Sequence, residues 1–291
     1  MKNFIVRTIT GVLFVAVMVA GICLRGDAMI LLFSLITGLT IWEYTGLVNE
    51  YVKDTTINRF IATVAGVYLF LAFAGYCAGI VPSAAFIPYL LTVVYLFVGE
   101  LYLRQKNPIH DWAYTMLSQM YIALPFSMIN VLAFHADPQT GEVAYNWLLP
   151  MSIFVFLWVN DTGAYCTGSL FGKHRLFPRI SPKKSWEGSI GGAVLVLIVA
   201  ALISHFAKED GTAQMLPSLF GERLLHWLGL GLVVVVFGTW GDLVESLFKR
   251  TLGIKDSGSI LPGHGGMLDR FDSSLMAIPA AAVYVYTLQF L

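Results

Sequence analysis

The sequence runs repeatedly through stretches of about 18 or more residues that are almost entirely apolar. A helix of that length spans the roughly 30 Å hydrocarbon core of a lipid bilayer. Only 12% of the residues are charged and 57% are hydrophobic, whereas soluble domains carry about 25% charged residues. Inside lipid the backbone must satisfy its own hydrogen bonds, and these runs are too long and uniform for barrel strands. The sequence therefore predicts an all-α polytopic membrane protein.

About nine of these stretches are long enough to be transmembrane helices. They lie near residues 8–24, 28–48, 60–80, 84–103, 112–134, 147–168, 188–206, 225–247 and 273–290. With the N-terminus in the cytoplasm, all 18 Lys and Arg residues fall on cytoplasmic segments except Arg25, Lys208 and Arg223. Because Lys and Arg are enriched in cytoplasmic loops, we predict a cytoplasmic N-terminus and a C-terminus outside.

Several alternative interpretations find little support in the sequence. The first apolar stretch has the basic start of a signal peptide but no small-residue cleavage site, so we interpret it as a retained helix. Cys23, Cys77 and Cys166 lie in predicted helices without CxxC spacing, which favours packing over disulfide or metal roles. The formal net charge is zero and no basic aromatic patch is visible, so no nucleic-acid partner is expected.

The groups able to do chemistry are concentrated in residues 155–275. We therefore predict an N-terminal transmembrane scaffold, residues 1–150, and a C-terminal transmembrane catalytic half, residues 151–291, within one integral membrane domain. The sequence shows no internal repeat, which argues against a transporter built from inverted repeats.

The segment WGDLVESLFKR (240–250) places charged groups at the end of the eighth predicted helix. Asp242, Glu245 and Lys249 fall on one face, because residues three and four apart are neighbours on a helix surface. A carboxylate at membrane depth is costly, and it is therefore a candidate functional group that faces a wet cavity. The alternative is an interfacial ion pair with Lys249 or Arg250.

The segment LPGHGGMLDRFD (261–272) is polar and glycine-rich, and it precedes the last apolar stretch. Gly265 and Gly266 would allow backbone N–H groups to approach a bound anion closely. Asp269 and Asp272 would supply oxygen ligands for the hard cation that accompanies a polyphosphate. The alternative is a plain helix-entry loop, in which acidic residues complement the helix dipole.

The segment GKHRLFPRISPKKSWEGSIGG (172–192) is rich in cations. Lys183 and Lys184 face either lipid head groups or nucleotide phosphates, and a positive loop that only sets topology is the alternative. Glu187, at the start of a predicted helix, does not fit a topology signal. Asp161, inside the sixth predicted helix, is a functional candidate because packing does not require a carboxylate there.

Other polar residues are given structural interpretations. Glu43 and Glu100 lie near the ends of predicted helices, where they are expected to reach the interface or to pair with a loop cation. Four histidines have no partner at metal-ligand spacing: His110, His135, His174 and His226.

Residues 246–272, SLFKRTLGIKDSGSILPGHGGMLDRFD, resemble the signature of the bacterial phosphatidate cytidylyltransferases, also called CDP-diacylglycerol synthases. The fixed positions of that signature are filled by Ser246, Lys249, Arg250, Lys255, Asp256, His264, Gly265, Gly266, Asp269, Arg270 and Asp272. NDTGAYxxGxxFGK (160–173) and SPKKSWEG (181–188) resemble further family motifs, as does IWEY (41–44). The resemblance therefore covers roughly residues 155–275.

The resemblance implies that CTP reacts with phosphatidic acid to give CDP-diacylglycerol and pyrophosphate, a step of phospholipid biosynthesis. It implies Mg²⁺ as cofactor, with K⁺ as a candidate second ion, and it is compatible with a homodimer. It also implies an integral protein of a bacterial cytoplasmic (inner) membrane, surrounded by membrane lipids. The active site would face the cytoplasm, because CTP is dissolved there.

The resemblance and the residue chemistry together indicate roles for individual side chains. By similarity to the family, Asp242 and Asp269 are the metal-site carboxylates, and further metal ligands are expected at Asp161 and Asp272. The expected catalytic residues are Asp242, Asp269, Lys249, Arg250, Asp256 and Arg270. The expected nucleotide-binding residues are Lys183, Lys184, His264, Gly265 and Gly266.

Two other functions are compatible with parts of this pattern. A CTP-dependent lipid kinase would transfer the γ-phosphoryl group to a lipid alcohol, and composition does not exclude it. An ion-coupled transporter would use the carboxylates as a cation site. Its acids should lie near the midplane of broken helices, whereas here they are predicted at the cytoplasmic helix ends.

Overall fold

The computed structural model describes residues 2–103, 105–136, 141–209, 224–258 and 265–288, except the side chains of residues 2–7, 208 and 209. Its long helices are α1 (Lys2–Cys23), α2 (Gly26–Tyr51), α3 (Arg59–Cys77), α4 (Ile87–Leu103), α5 (Pro108–Ala133), α6 (Leu148–Phe171), α7 (Trp186–Glu209), α8 (Leu224–Thr251) and α9 (Met267–Leu288). A 3-10 turn at Ser83–Phe86 leads into α4, and α5 contains a π-helical turn at Gln119–Ala123.

These helices confirm the predicted all-α membrane architecture. Seven helical segments of the described residues, those of α2–α5 and α7–α9, are long and apolar enough to cross a membrane. α1 contains a shorter apolar stretch, Thr8–Cys23. α6 is 24 residues long but carries Asn160 and Asp161, which lower its hydropathy. The number of crossings and the orientation of the termini stay predictions.

Two features of the fold differ from the sequence-based prediction. α9 begins at Met267 rather than near residue 273, and Asp269 lies in its first turn, where the helix dipole favours negative charge. Two short antiparallel hairpins were not predicted. They pair β1 (Phe134–Ala136) with β2 (Val143–Tyr145), and β3 (Arg175–Phe177) with β4 (Ser181–Ser185).

The elements pack as two compact units, residues 1–131 with 251–271, and residues 132–250 with 272–291. In the first unit, Phe126 makes edge-to-face ring contacts with both Phe33 and Phe271. The second unit contains the closely packed helices α6 and α7. Packing does not assign function. The predicted division at residue 150 between a scaffold and a catalytic half therefore stays a prediction.

Within the first unit, the buried carboxylate of Glu43 on α2 binds the N-terminus of α9. It accepts hydrogen bonds from the backbone N–H groups of Met267 at 2.9 Å and Leu268 at 3.0 Å. It also accepts one from the Ser257 hydroxyl at 2.6 Å. A carboxylate at this position satisfies N–H groups that have no partner within the helix and complements the positive helix terminus. The expectation that Glu43 reaches the interface or pairs with a loop cation is wrong, because the buried carboxylate binds backbone N–H groups and a hydroxyl.

We expect Glu43→Gln to lower the unfolding free energy by roughly 2 kcal/mol, because a neutral amide replaces a charged acceptor of three buried hydrogen bonds. The measurement is thermal unfolding of the detergent-purified protein. Glu50→Gln, an exposed site on the same helix, is the matched control and should stay close to wild type. Equal effects of the two substitutions would contradict the capping role.

Candidate active site

A cavity of about 500 Å³ lies in the second unit, among α6, the β3–β4 hairpin and the start of α7. α6 lines it with Asp161 and Gly168, α8 with Thr239, and the hairpin with Lys183 and Lys184. The volume is in the range of small-molecule sites, about 300–1,000 Å³. Three residues singled out from the sequence, Asp161, Lys183 and Lys184, thus line one cavity.

Glycines allow α6 and α7 to approach closely beside this cavity. A Cβ atom at Gly192 would lie 2.7 Å from the carbonyl oxygen of Asn160, and one at Gly163 would lie 2.9 Å from the Cα of Gly192. A Cβ atom at Gly188 would lie 2.9 Å from the carbonyl oxygen of Ala164. These distances leave no room for a side chain, so backbone of the two helices forms part of the cavity wall.

The β3–β4 hairpin is fastened to α7 by Glu187. Its carboxylate accepts hydrogen bonds from the backbone N–H groups of Lys173 and His174, each at 3.2 Å. It also pairs with the His174 ring nitrogen Nδ1 at 2.6 Å. Ser185 accepts a hydrogen bond from the N–H of Gly188 at 3.1 Å, which caps the helix. Both ends of the hairpin are therefore hydrogen-bonded to α7.

The hairpin brings three cationic side chains to the cavity: Arg175, Lys183 and Lys184. The Arg175 guanidinium donates a hydrogen bond to the Lys183 carbonyl oxygen at 3.3 Å. The Lys184 ammonium lies 2.6 Å from the Asp242 carboxylate. Among the described residues, the Lys183 ammonium has no ion-pair partner. Cations lining a concave surface concentrate anionic ligands such as phosphates.

Carboxyl groups from three helices lie near this cationic hairpin. Asp242 on α8 accepts a hydrogen bond from the Ser246 hydroxyl at 3.2 Å, in addition to its ion pair with Lys184. The Asp272 carboxyl group on α9 lies within electrostatic range of Asp242, Asp161 and Lys184. Of the predicted site residues, the second unit therefore brings Asp161, Lys184, Asp242 and Asp272 together.

The donor set of this cluster suits a hard cation, because carboxylate oxygens are the ligands that Mg²⁺ prefers. Within the residues that the structure describes, no three His, Cys, Asp or Glu side chains are arranged to hold one metal ion. Mg²⁺ commonly uses one or two carboxylates, waters and substrate phosphates rather than an all-protein cage. The metal-binding roles predicted for Asp161, Asp242, Asp269 and Asp272 stay predictions.

A second ion pair lies one helical turn further along α8. The fully buried Glu245 carboxylate contacts the Lys249 ammonium at 2.7 Å. The interfacial ion pair that the sequence left open as an alternative is thus present for Glu245. It holds the Lys249 ammonium beside a buried carboxylate, and the phosphate-binding role of Lys249 stays a prediction.

Residues 265–271 of the glycine-rich segment belong to the first unit. Oδ2 of Asp269 accepts hydrogen bonds from the N–H groups of Ser257 at 2.8 Å and Gly266 at 2.9 Å. Gly265 has a φ of +85°, and a Cβ atom there would lie 2.5 Å from that same oxygen. Glycine at this position is therefore required both by the backbone conformation and by the space that the Asp269 carboxylate occupies.

Asp269 and Asp242 belong to different packing units, and their joint role at one metal site stays a prediction. Asp256, Arg250 and Arg270 are exposed, and their catalytic roles are likewise untested. His264 lies outside the described residues.

Sequence reasoning missed two residues that shape the cavity. Ser185 carries a recognisable signal, since serine before an apolar helix is a preferred N-cap. Arg175 carries no such sequence signal, because it is one of several cations in the loop. Only the fold of the hairpin brings it to the cavity.

We expect Gly192→Ala to lower thermal stability and to weaken nucleotide binding, because the new methyl group would overlap the Asn160 backbone. Overpacking of this kind costs roughly 1–3 kcal/mol. Gly99→Ala is the control, since a Cβ atom there has no neighbour within 4 Å. Thermal unfolding and CTP binding by calorimetry measure both effects. If Gly192→Ala changes the unfolding temperature and CTP binding no more than Gly99→Ala does, the close packing of α6 and α7 is contradicted.

Comparison with known proteins shows matches along nearly the whole chain. A model of the Cytidylyltransferase family matches residues 5–288. The chain is 31% identical over 265 residues to the phosphatidate cytidylyltransferase of Haemophilus influenzae, covering 85% of this chain and 86% of that protein. It is 32% identical over 275 residues to the phosphatidate cytidylyltransferase of Staphylococcus aureus (strain COL), covering 94% and 96%. The chain therefore belongs to the cytidylyltransferase family.

Proposed function

We propose that this protein is a nucleotidyltransferase that converts CTP and phosphatidic acid to CDP-diacylglycerol and pyrophosphate. The observation that carries the proposal is the second-unit cavity, which Arg175, Lys183, Lys184 and Asp161 line and where Lys184 contacts Asp242. The proteins similar over nearly the whole chain, which are named phosphatidate cytidylyltransferases, support this choice of reaction.

In this reaction an oxygen of the phosphatidate phosphate attacks the α-phosphorus of CTP. The new bond is the P–O bond of the diphosphate bridge in CDP-diacylglycerol, and the bond between the α-phosphorus and the bridging oxygen to the β-phosphorus breaks. Pyrophosphate leaves with the bonding electrons. The phosphatidate oxygen is already anionic at neutral pH, so no protein nucleophile is required. Catalysis then consists mainly of positioning and charge stabilisation.

Repulsion between two anionic substrates is the main obstacle to this step. Arg175 and Lys183 line the cavity and have the chemistry to neutralise triphosphate oxygens. Their hairpin is fixed by Glu187, so the charges need little reorganisation when CTP binds.

Asp242, together with Asp161 or Asp272 and with substrate phosphates, would hold Mg²⁺ in this unit. When bound, the ion would neutralise phosphate charge and stabilise the leaving pyrophosphate. Asp269 stays a predicted metal ligand on the strength of the family signature, and K⁺ stays a candidate second ion.

The setting of the reaction follows from its substrates. Phosphatidic acid is dissolved in the bilayer and CTP in the cytosol, so the site should lie at the cytoplasmic face of a bacterial inner membrane. The basic residues that the sequence assigns to the cytoplasmic side include those of the hairpin. Nucleic acid is not an expected partner, and a homodimer is compatible with the proposal.

The test supplies the detergent-purified protein with phosphatidic acid, Mg²⁺ and CTP labelled with ³²P at either the α- or the γ-phosphate. We expect α-label in the extracted lipid, γ-label in pyrophosphate, and loss of both products with EDTA. Lipid that carries γ-label would identify a kinase instead. No label in lipid from folded protein would overturn the proposal and favour a transporter.

Asp242→Asn should lower this lipid labelling about 100-fold or more, because it removes a metal-binding charge without changing the size of the side chain. Asp27→Asn is the control, since Asp27 is exposed on α2 and pairs only with exposed Arg25 in the described residues. If Asp242→Asn labels lipid as well as the wild type does, Asp242 does not bind the catalytic metal.

A further inference from the structure

Two adjacent lysines of the hairpin are in different surroundings. The Lys184 ammonium lies 2.6 Å from Oδ2 of Asp242, and both side chains are only partly exposed, at 27% and 28%. Lys183 is exposed, and its ammonium has no ion pair within the described part of the chain. The sequence assigned both lysines to phosphate binding, and it offered no reason to distinguish them.

The Lys184 ammonium occupies one of the two carboxylate oxygens of Asp242. Oδ1 of Asp242 accepts a hydrogen bond from the Ser246 hydroxyl at 3.2 Å, while Oδ2 is taken by the ammonium. The same ammonium acts electrostatically on Asp272, which also senses Asp161 and Asp242. One ammonium therefore pairs with Asp242 and lies near Asp272.

We propose that Lys184 is an internal counter-ion of this carboxylate group, which a divalent cation displaces from Asp242 when it binds. This inference rests on the proposed metal role of Asp242. A carboxylate group in partly buried surroundings needs a neighbouring positive charge, and an ammonium on a fixed hairpin supplies it. Lys184 thus competes with the metal, whereas Lys183 does not.

Displacement gives Lys184 a second partner. Lys184 lines the same cavity as Lys183 and Arg175. An ammonium released from Asp242 is therefore within the cavity that the triphosphate would occupy. Metal and nucleotide would then bind cooperatively, because the metal frees a cation for the phosphates and the phosphates complete the coordination of the metal.

The experiment measures thermal unfolding of the detergent-purified full chain against MgCl₂ concentration, without nucleotide. A ligand that binds only the folded state raises the unfolding temperature in proportion to its occupancy. Lys184→Met should unfold at a lower temperature in EDTA, because it leaves carboxylates without their counter-ion. Mg²⁺ should restore its stability, with a half-maximal concentration about tenfold below that of wild type.

Three variants separate this account from its alternatives. Lys183→Met makes the same change one residue away and should keep the wild-type Mg²⁺ dependence. Lys184→Arg keeps the positive charge and should stay close to wild type, and it provides a folded reference if Lys184→Met is poorly stable. Asp242→Asn combined with Lys184→Met should lose most of the Mg²⁺ effect.

An unchanged or higher half-maximal Mg²⁺ concentration in Lys184→Met would overturn the counter-ion role. The absence of any stabilisation by Mg²⁺, in wild type and variants alike, would overturn it as well. Lipid labelling of the wild type is measured on the same preparation. If the wild type labels lipid and either negative result is found, the counter-ion role fails and the proposed function stands. If the wild type does not label lipid, the proposed function itself fails.

Discussion

A carboxylate at the edge of the hydrocarbon core needs a compensating charge within a few ångströms, since water is not there to solvate it freely. The second unit places Asp161, Asp242 and Asp272 on three helices, and the ion pair of Lys184 with Asp242 compensates this group. The architecture of the cavity follows from the need to bring that ammonium to the helices.

The Lys184 ammonium comes from the hairpin between α6 and α7 and not from a helix. The hairpin needs its own fixation, which Glu187 supplies through backbone N–H groups and His174. Gly163, Gly188 and Gly192 let the two flanking helices approach closely. Charge compensation, hairpin fixation and close helix packing are thus parts of one arrangement.

The sequence predicted the helices well, because each long apolar stretch has one physical solution in lipid. It also singled out Asp161 and Asp242 as carboxylates in apolar helices and Lys184 as a loop cation, and their functional roles stay predictions. It did not predict the β3–β4 hairpin, because strands of three and five residues carry no readable periodicity. Nor did it predict that α9 starts at Met267, where Glu43 from a distant helix satisfies the N–H groups. A contact between segments far apart in the chain decides the second feature.

The same limit applies to the functional roles of neighbouring residues. Lys183 and Lys184 are indistinguishable in the sequence, and only the structure separates the exposed Lys183 from Lys184, which pairs with Asp242. For Asp269 the sequence predicted a metal-binding role. The structure shows that its carboxylate also accepts hydrogen bonds from the N–H groups of Ser257 and Gly266. This carboxylate joins Ser257 to Gly266 at the start of α9.

The central claim is that the carboxylate group of the second unit holds the divalent ion that accompanies CTP. Its most direct test is an experimental structure with Mn²⁺ and a non-hydrolysable CTP analogue, in which anomalous scattering locates the metal. The account predicts an anomalous peak at coordinating distance from Asp242, with the Lys184 ammonium moved from Asp242 toward the phosphates. A metal peak remote from Asp161, Asp242 and Asp272, with the Lys184–Asp242 ion pair intact, would contradict it.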